Sequence, residues 1–181
     1  MTDPAPQASS MPQASSMPTG LVYADVPNRA IAYIIDSIIL FVGIVIVGVI
    51  VAGVGLAAGG LVNSFVIGIV GLVISAAYFI YTWTSMRATV GMKVLGMQIG
   101  NAGDGATLTM DQAVRRWLAL SAPSIVAQAF QPIALIGILL SIAALAWFIF
   151  LVYTTAQSPT KQGWHDVFAN TMVVKTAKSV G

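Results

Sequence analysis

Residues 28–53 read NRAIAYIIDSIILFVGIVIVGVIVAG. From Ala30 onward this is a nearly continuous apolar run of the length that crosses a bilayer as one helix. Asp36 is its single charged residue, and Arg29 stands seven residues earlier at the helix mouth. A carboxylate at that depth is costly, so such a residue faces protein or water and takes a partner. Seven residues make about two turns, which places Arg29 and Asp36 on one face, about 10 Å apart along the axis. That exceeds a direct ion pair unless Arg29 bends down or a water intervenes. The face carrying both residues is where function is to be sought.

The rest of the chain has the same apolar character. Of 181 residues, 57% are hydrophobic and 8% charged, and the mean hydropathy is +0.89. Soluble domains carry about 25% charged residues, so this is the composition of an all-α integral membrane protein with the lipid bilayer as its first partner. The pI of 9.1 reflects a net charge of only +2. No basic patch is interleaved with aromatics, so no nucleic-acid partner is expected.

Several chemistries drop out at once. Cysteine and glutamate are both absent and His165 is the single histidine. Thiolate chemistry, disulfides and a His-rich zinc site within one subunit are therefore excluded, and no metal or cofactor is expected. The string Gly53-Val-Gly-Leu-Ala-Ala58 imitates a dinucleotide loop, but no βαβ unit surrounds it and no acidic residue follows at the required distance. With no nucleophile–base pair to assemble, an enzyme is not expected.

Residues 1–23 form a Pro/Ser/Gln-rich tail in which PQASSM occurs at Pro6–Met11 and again at Pro12–Met17. Such composition buries too little apolar surface to offset ordering entropy, so a disordered tail is expected. With no Lys or Arg before Asn28, the tail lacks the positive region of a secretory signal, and the first apolar segment is expected to remain as an anchor. A transmembrane domain then occupies 24–176, with a short tail at 177–181. Hydropathy predicts four spanning helices at about 27–51, 62–85, 110–130 and 132–155. The third is the shortest in apolar content and has Pro123 in its middle.

Charge placement orders these helices. Arg29 precedes the first, Arg87, Lys93, Arg115 and Arg116 fall between the second and third, and Lys161, Lys175 and Lys178 follow the fourth. The opposite loops, around 52–61 and at Gln131, carry no charge. The positive-inside rule makes the basic side cytoplasmic, which predicts a multi-pass protein of the cytoplasmic (inner) membrane with both termini inside. A re-entrant third segment would move the C-terminal lysines outside, so the rule favours four spans.

The basic loop has organisation of its own. TVGMKVLGMQI, Thr89 to Ile99, is amphipathic, and Asn101–Gly105 is a turn cluster. Thr109 with Gln112 reads as a capping box, and Asp111 with Arg115 as an i, i+4 pair. Val94–Ile99 and Thr171–Thr176 are strand-like, which suggests a small cytoplasmic β-pairing. Gly68 and Gly71 are candidate close-packing points between helices.

Two readings attach to the charged residues. A carboxyl balanced between desolvation and a nearby cation can be set for proton exchange with a cation. Alternatively, Asp36 is a structural link, satisfied by hydroxyls, backbone or another arginine, with Tyr33 and Ser37 near enough to serve. Asp166 can meet Arg29, Arg115 or Arg116 and close a cytoplasmic gate, or cap a short helix starting at Val167. Arg115-Arg116-Trp117 suits a positive-inside anchor and an anionic-lipid site. His165 is a lone interfacial histidine, a common feature that indicates little about pH sensing.

Taken together, NRAIAYIIDSIIL, TVGMKVLGMQI with TLTMDQAVRRWLAL, and KQGWHDVFANTMVV resemble the RDD family of small bacterial membrane proteins. That family is named for an arginine opening the first helix, an aspartate within it and an aspartate after the last helix; Arg29, Asp36 and Asp166 match in order. The resemblance covers about 24–176 and implies a four-helix fold and an activity suspected to be transport, with ligands mostly undefined. Two features depart from the pattern: a low arginine content on the basic side, and the N-terminal tail. Cation–proton exchange through Asp36 is the leading functional expectation, and an accessory or scaffolding subunit of a larger membrane complex the alternative. Four helices leave little room for a private path, so self-assembly or partnership with other membrane subunits is expected.

Overall fold

A computed structural model describes residues 22–53 and 60–176. The PQASSM repeat, most of the 52–61 loop with its GxGxxA string, and the 177–181 tail lie outside the described residues.

The described chain is mostly helical. Helix α1 is Val26–Gly53, α2 is Gly60–Ser85, α4 is Met110–Ala129 and α5 is Ala134–Gln157. Short helices α3, Val90–Val94, and α6, Trp164–Phe168, each precede a strand, β1 at Met97–Asn101 and β2 at Thr171–Lys175. Among the described residues three stretches are long and apolar enough to cross a membrane: Val26–Ile50, Val66–Ser85 and Ala134–Gln157. Helix α4 is a fourth long helix but carries Asp111, Arg115 and Arg116 in its first two turns, so length and composition do not mark it as a span.

Each boundary has a local cause. Pro27 sits in the first turn of α1, where its missing N–H is harmless. Thr109 Oγ1 accepts from Gln112 N at 3.2 Å while Gln112 Oε1 accepts from Thr109 N at 3.1 Å, the reciprocal box that starts α4. Asp111 pairs with Arg115 at 2.9 Å on the exposed face. Within α4, Pro123 has no N–H to give Ala119, four residues back. The indole Nε1 of Trp147, on α5, donates to that Ala119 carbonyl at 2.9 Å. The helix break implied by the proline is thus repaired by its neighbour.

The amphipathic stretch 89–99 is divided rather than continuous. Helix α3 ends at Val94, and the chain turns away at Gly96, whose φ of 64° is a left-handed conformation that suits glycine. Strand β1 then pairs antiparallel with β2 in the register Met97↔Lys175, Ile99↔Val173 and Asn101↔Thr171. The first strand therefore lies at 97–101, displaced from 94–99, because α3 consumes the earlier residues. Residues 22–24 flank the other edge of β2, with Ala24 N donating to Val173 O at 3.0 Å. Ile99 and Val173 are fully buried there.

Close packing falls elsewhere than at Gly68 and Gly71. A Cβ on Gly68 would meet nothing within 4 Å, and one on Gly71 would meet Ile44 at an ordinary 3.5 Å. At Gly91 a Cβ would lie 2.2 Å from the Ala32 carbonyl oxygen. Glycine there lets the backbone of α3 press against that of α1.

Candidate functional site

Asp36 is 2% exposed and takes its partners from α2 and the start of α3. Tyr78 Oη donates to Oδ1 at 2.7 Å, Gly91 N donates to Oδ1 at 2.8 Å, and Thr89 Oγ1 donates to Oδ2 at 2.6 Å. Thr89 is also the N-cap of α3, and its oxygen accepts from Met92 N. One hydroxyl thus starts the helix and holds it to the carboxylate. Tyr78 works in both directions too, accepting from Val90 N at 3.2 Å. All three donors are electrically neutral.

Tyr33 and Ser37 are not among them. Ser37 Oγ donates back to the Tyr33 carbonyl at 2.7 Å, and the Tyr33 ring stacks near Phe148 at 5.7 Å. Neither side chain hydrogen-bonds the carboxylate: Ser37 is turned about 100° along the helix from Asp36, and Tyr33 only borders the space beside it. Position along the chain suggested a hydrogen bond to Asp36, and neither residue makes one.

Arg29 goes to Asp166. Its Nη1 donates to Asp166 Oδ2 at 2.6 Å, and its Nε and Nη2 donate to the carbonyls of Ala24 at 3.1 Å and Val173 at 3.3 Å. Arg116 donates through Nη1 to Asp166 Oδ1 and to Thr171 Oγ1. The Arg116 guanidinium also lies 5.2 Å from the centroid of the Trp83 ring, a cation–π distance. Arg115, one residue before, points outward to Asp111 and takes no part.

Asp166 is fully buried and sits at the third position of α6, not ahead of a helix at Val167. Its Oδ2 also accepts from Gly163 N at 3.1 Å, so it caps from within the helix while pairing with two arginines. The cap and the ion pair are one arrangement. His165 is buried beside it, with Nε2 3.5 Å from Asp166 Oδ2. Burial, and then the charges of Arg116 and Arg29, push the imidazole well below its ordinary pKa, so His165 is neutral near pH 7.

A cavity of about 120 Å³ joins the two clusters: Asp36 and Thr89 line it, as do Arg29, Arg116 and His165. Its remaining walls are largely apolar, and Tyr33 and Leu120 are among them. Among the described residues no group of His, Asp or Glu could hold a metal ion. What the arrangement offers is two buried carboxylates of different kinds, Asp36 on the wall of a small space and Asp166 behind the arginines that line it. One is bound to two guanidiniums, and the other is held by neutral donors alone.

The sequence picked out both aspartates but missed Tyr78, Thr89 and Gly91. Thr89 had a signal, since a threonine before a short helix is a capping residue. Tyr78 stands with Tyr81 and Trp83 at the end of α2, a pattern usual for aromatics at a membrane interface, and nothing in its neighbourhood distinguishes an inward hydroxyl.

Comparison with known proteins gives one match. The RDD family model covers residues 23–170, a span that takes in Arg29, Asp36 and Asp166. Searches of curated proteins and of solved structures returned no match. With most of its length matched and its apolar helices in place, the chain belongs to the RDD family of small membrane proteins.

Proposed function

We propose that this membrane protein is a carrier that exchanges a small cation for protons at Asp36. The observation behind this reading is that Asp36 is 2% exposed and, among the described residues, has no cationic partner. A buried carboxylate held by neutral donors keeps an unbalanced charge that a proton or a cation can satisfy. The nearby arginines are committed to Asp166, so they modulate the field across the shared cavity without occupying the site. Protonation of Asp36 would also weaken its acceptance from Thr89 and Gly91, which couples the occupancy of the site to the docking of α3.

In this reading α4 is the fourth span, the basic residues face the cytoplasm, and Asp166 closes the cytoplasmic end. Both termini lie inside a cytoplasmic membrane, and the carrier works as an oligomer. It assigns no catalysis and needs no cofactor. The test is ion flux in proteoliposomes under imposed Na⁺, K⁺ and pH gradients, wild type beside Asp36→Asn. Flux abolished by the substitution in folded protein is the expected result; unchanged flux sinks the carrier.

A second reading, an accessory subunit of a larger membrane complex, is favoured by a different observation. Of the apolar windows of α1, α2 and α5, only 6%, 17% and 11% is buried within the chain, leaving wide faces for lipid or partner helices. Absence of flux in wild type, together with stable co-purification of unrelated subunits in mild detergent, would establish it.

A further inference from the structure

A second space, about 750 Å³, lies between α1, α2 and α4 and is distinct from the cavity at Asp36. Its lining includes Ser37, Ser75, Ser121, Ser124, Gln128 and Gln131. On α4 it extends from Trp117 to Ala129, about 18 Å of helix at 1.5 Å per residue. One end is the α4–α5 turn at Gln131 and Pro132, opposite the end where Arg29, Arg116 and Asp166 meet. The other end stops at Tyr33 and Leu120, which line both this crevice and the smaller cavity.

The polar side chains in this crevice are not consumed by the fold. Ser75 accepts from Trp117 Nε1 and Ser37 bonds its own helix, but among the described residues Ser121, Ser124 and Gln128 have no side-chain hydrogen-bond partner. Hydroxyls and amides left unpaired against acyl chains are costly, so polar residues at this depth face protein or water. The space is far larger than the ~10–15 Å³ that one water needs, and although most of its walls are apolar, Leu40, Ile44, Leu72 and Ile125 among them, its serines and glutamines give waters polar partners.

We propose that this crevice is a water-filled vestibule that admits small hydrophilic solutes from the face opposite the basic cluster, as far as a constriction at Tyr33 and Leu120. As the route by which a solute approaches Asp36 it rests on the carrier reading; as an aqueous space it does not. Among the described residues the vestibule has no charged lining residue, so these impose no sign on what enters, and selection falls to the constriction and to Asp36 beyond it.

The chain has no cysteine, so introduced thiols can be read without background. Ser121→Cys, Ser124→Cys and Gln128→Cys are compared with Leu139→Cys on the exposed side of α5 and with Lys161→Cys, which marks the basic face. Each full-length variant, checked for wild-type thermal unfolding in detergent, is treated in sealed membrane vesicles of either orientation with a charged, membrane-impermeant methanethiosulfonate. A thiol in water ionises readily and one in lipid does not, so the vestibule positions should react on the order of 10-fold faster than Leu139→Cys or more. They should do so from the face opposite Lys161→Cys. Reaction no faster than Leu139→Cys, with a lipid-soluble maleimide labelling all positions alike, would mean that acyl chains fill the crevice and would overturn the proposal. So would labelling from the Lys161→Cys face. Three independent positions keep one misfolded variant from deciding the matter, and labelled cysteines in a protein without flux would sink the carrier while leaving the vestibule.

Discussion

Asp36 and Asp166 are both buried aspartates, yet their partners are of opposite kinds. Asp166 is shared between Arg29 and Arg116, while Asp36 is met by two hydroxyls and one backbone N–H. His165 beside Asp166 shows how strongly such a cluster controls protonation. Its folded pKa is depressed by burial and by Arg116 and Arg29, so below the unfolded value of about 6.5 the unfolded chain binds the extra proton first. The stability that His165 contributes is therefore complete above that pH and lost as pH falls toward the folded value. Thermal unfolding followed from pH 7.5 down to 5 should show the wild type losing Tm more steeply than His165→Gln. Parallel curves would mean that the imidazole is not held neutral by this cluster.

Helix α4 is the element whose form depends most on a neighbour. Pro123 removes one intrahelical donor, and Trp147 of α5 supplies it to the Ala119 carbonyl. Trp147→Phe keeps an aromatic ring but leaves that carbonyl unpaired, with an expected loss of about 1–3 kcal/mol. In a Pro123→Ala background the helix restores its own hydrogen bond, so the same substitution should cost less by about 0.5 kcal/mol or more. Unfolding of the four proteins in detergent measures this coupling, and equal losses in both backgrounds would falsify the repair. Sequence reading saw Pro123 as a weakness of the third segment. It could not see the remedy, because the donor lies on another helix and an interfacial tryptophan looks the same whether its N–H points to protein or to water.

At the scale of the whole molecule, Asp166 fastens together pieces distant in sequence. It joins Arg29 at the start of α1, Arg116 on α4, Gly163 ahead of α6 and Thr171 at the start of β2. Removing it strands two buried guanidiniums, so Asp166→Ala should destabilise the protein by about 3–5 kcal/mol. Arg115→Ala, which breaks only the exposed pair with Asp111, should cost under about 1 kcal/mol. Thermal unfolding of the two variants beside wild type makes the comparison, and similar shifts would show that the clasp does not hold the fold together.

What the sequence determined by itself is what local chemistry fixes. Apolar length specified the long helices, Thr109 with Gln112 specified the start of α4, and two isolated aspartates stood out because a charge in an apolar setting is expensive wherever it ends up. The choice of partners belonged to the tertiary structure. Arg29 could reach along its own helix toward Asp36 or across to Asp166, and only the return of the chain after α5 brings Asp166 to it. Asp36 could use Tyr33 and Ser37 or more distant donors, and only the docking of Gly91 against Ala32 delivers the Thr89 hydroxyl and the Gly91 N–H. The physical reason is the same in both cases: a helix fixes the direction of a side chain, but what occupies that direction is set by contacts among residues far apart in the chain.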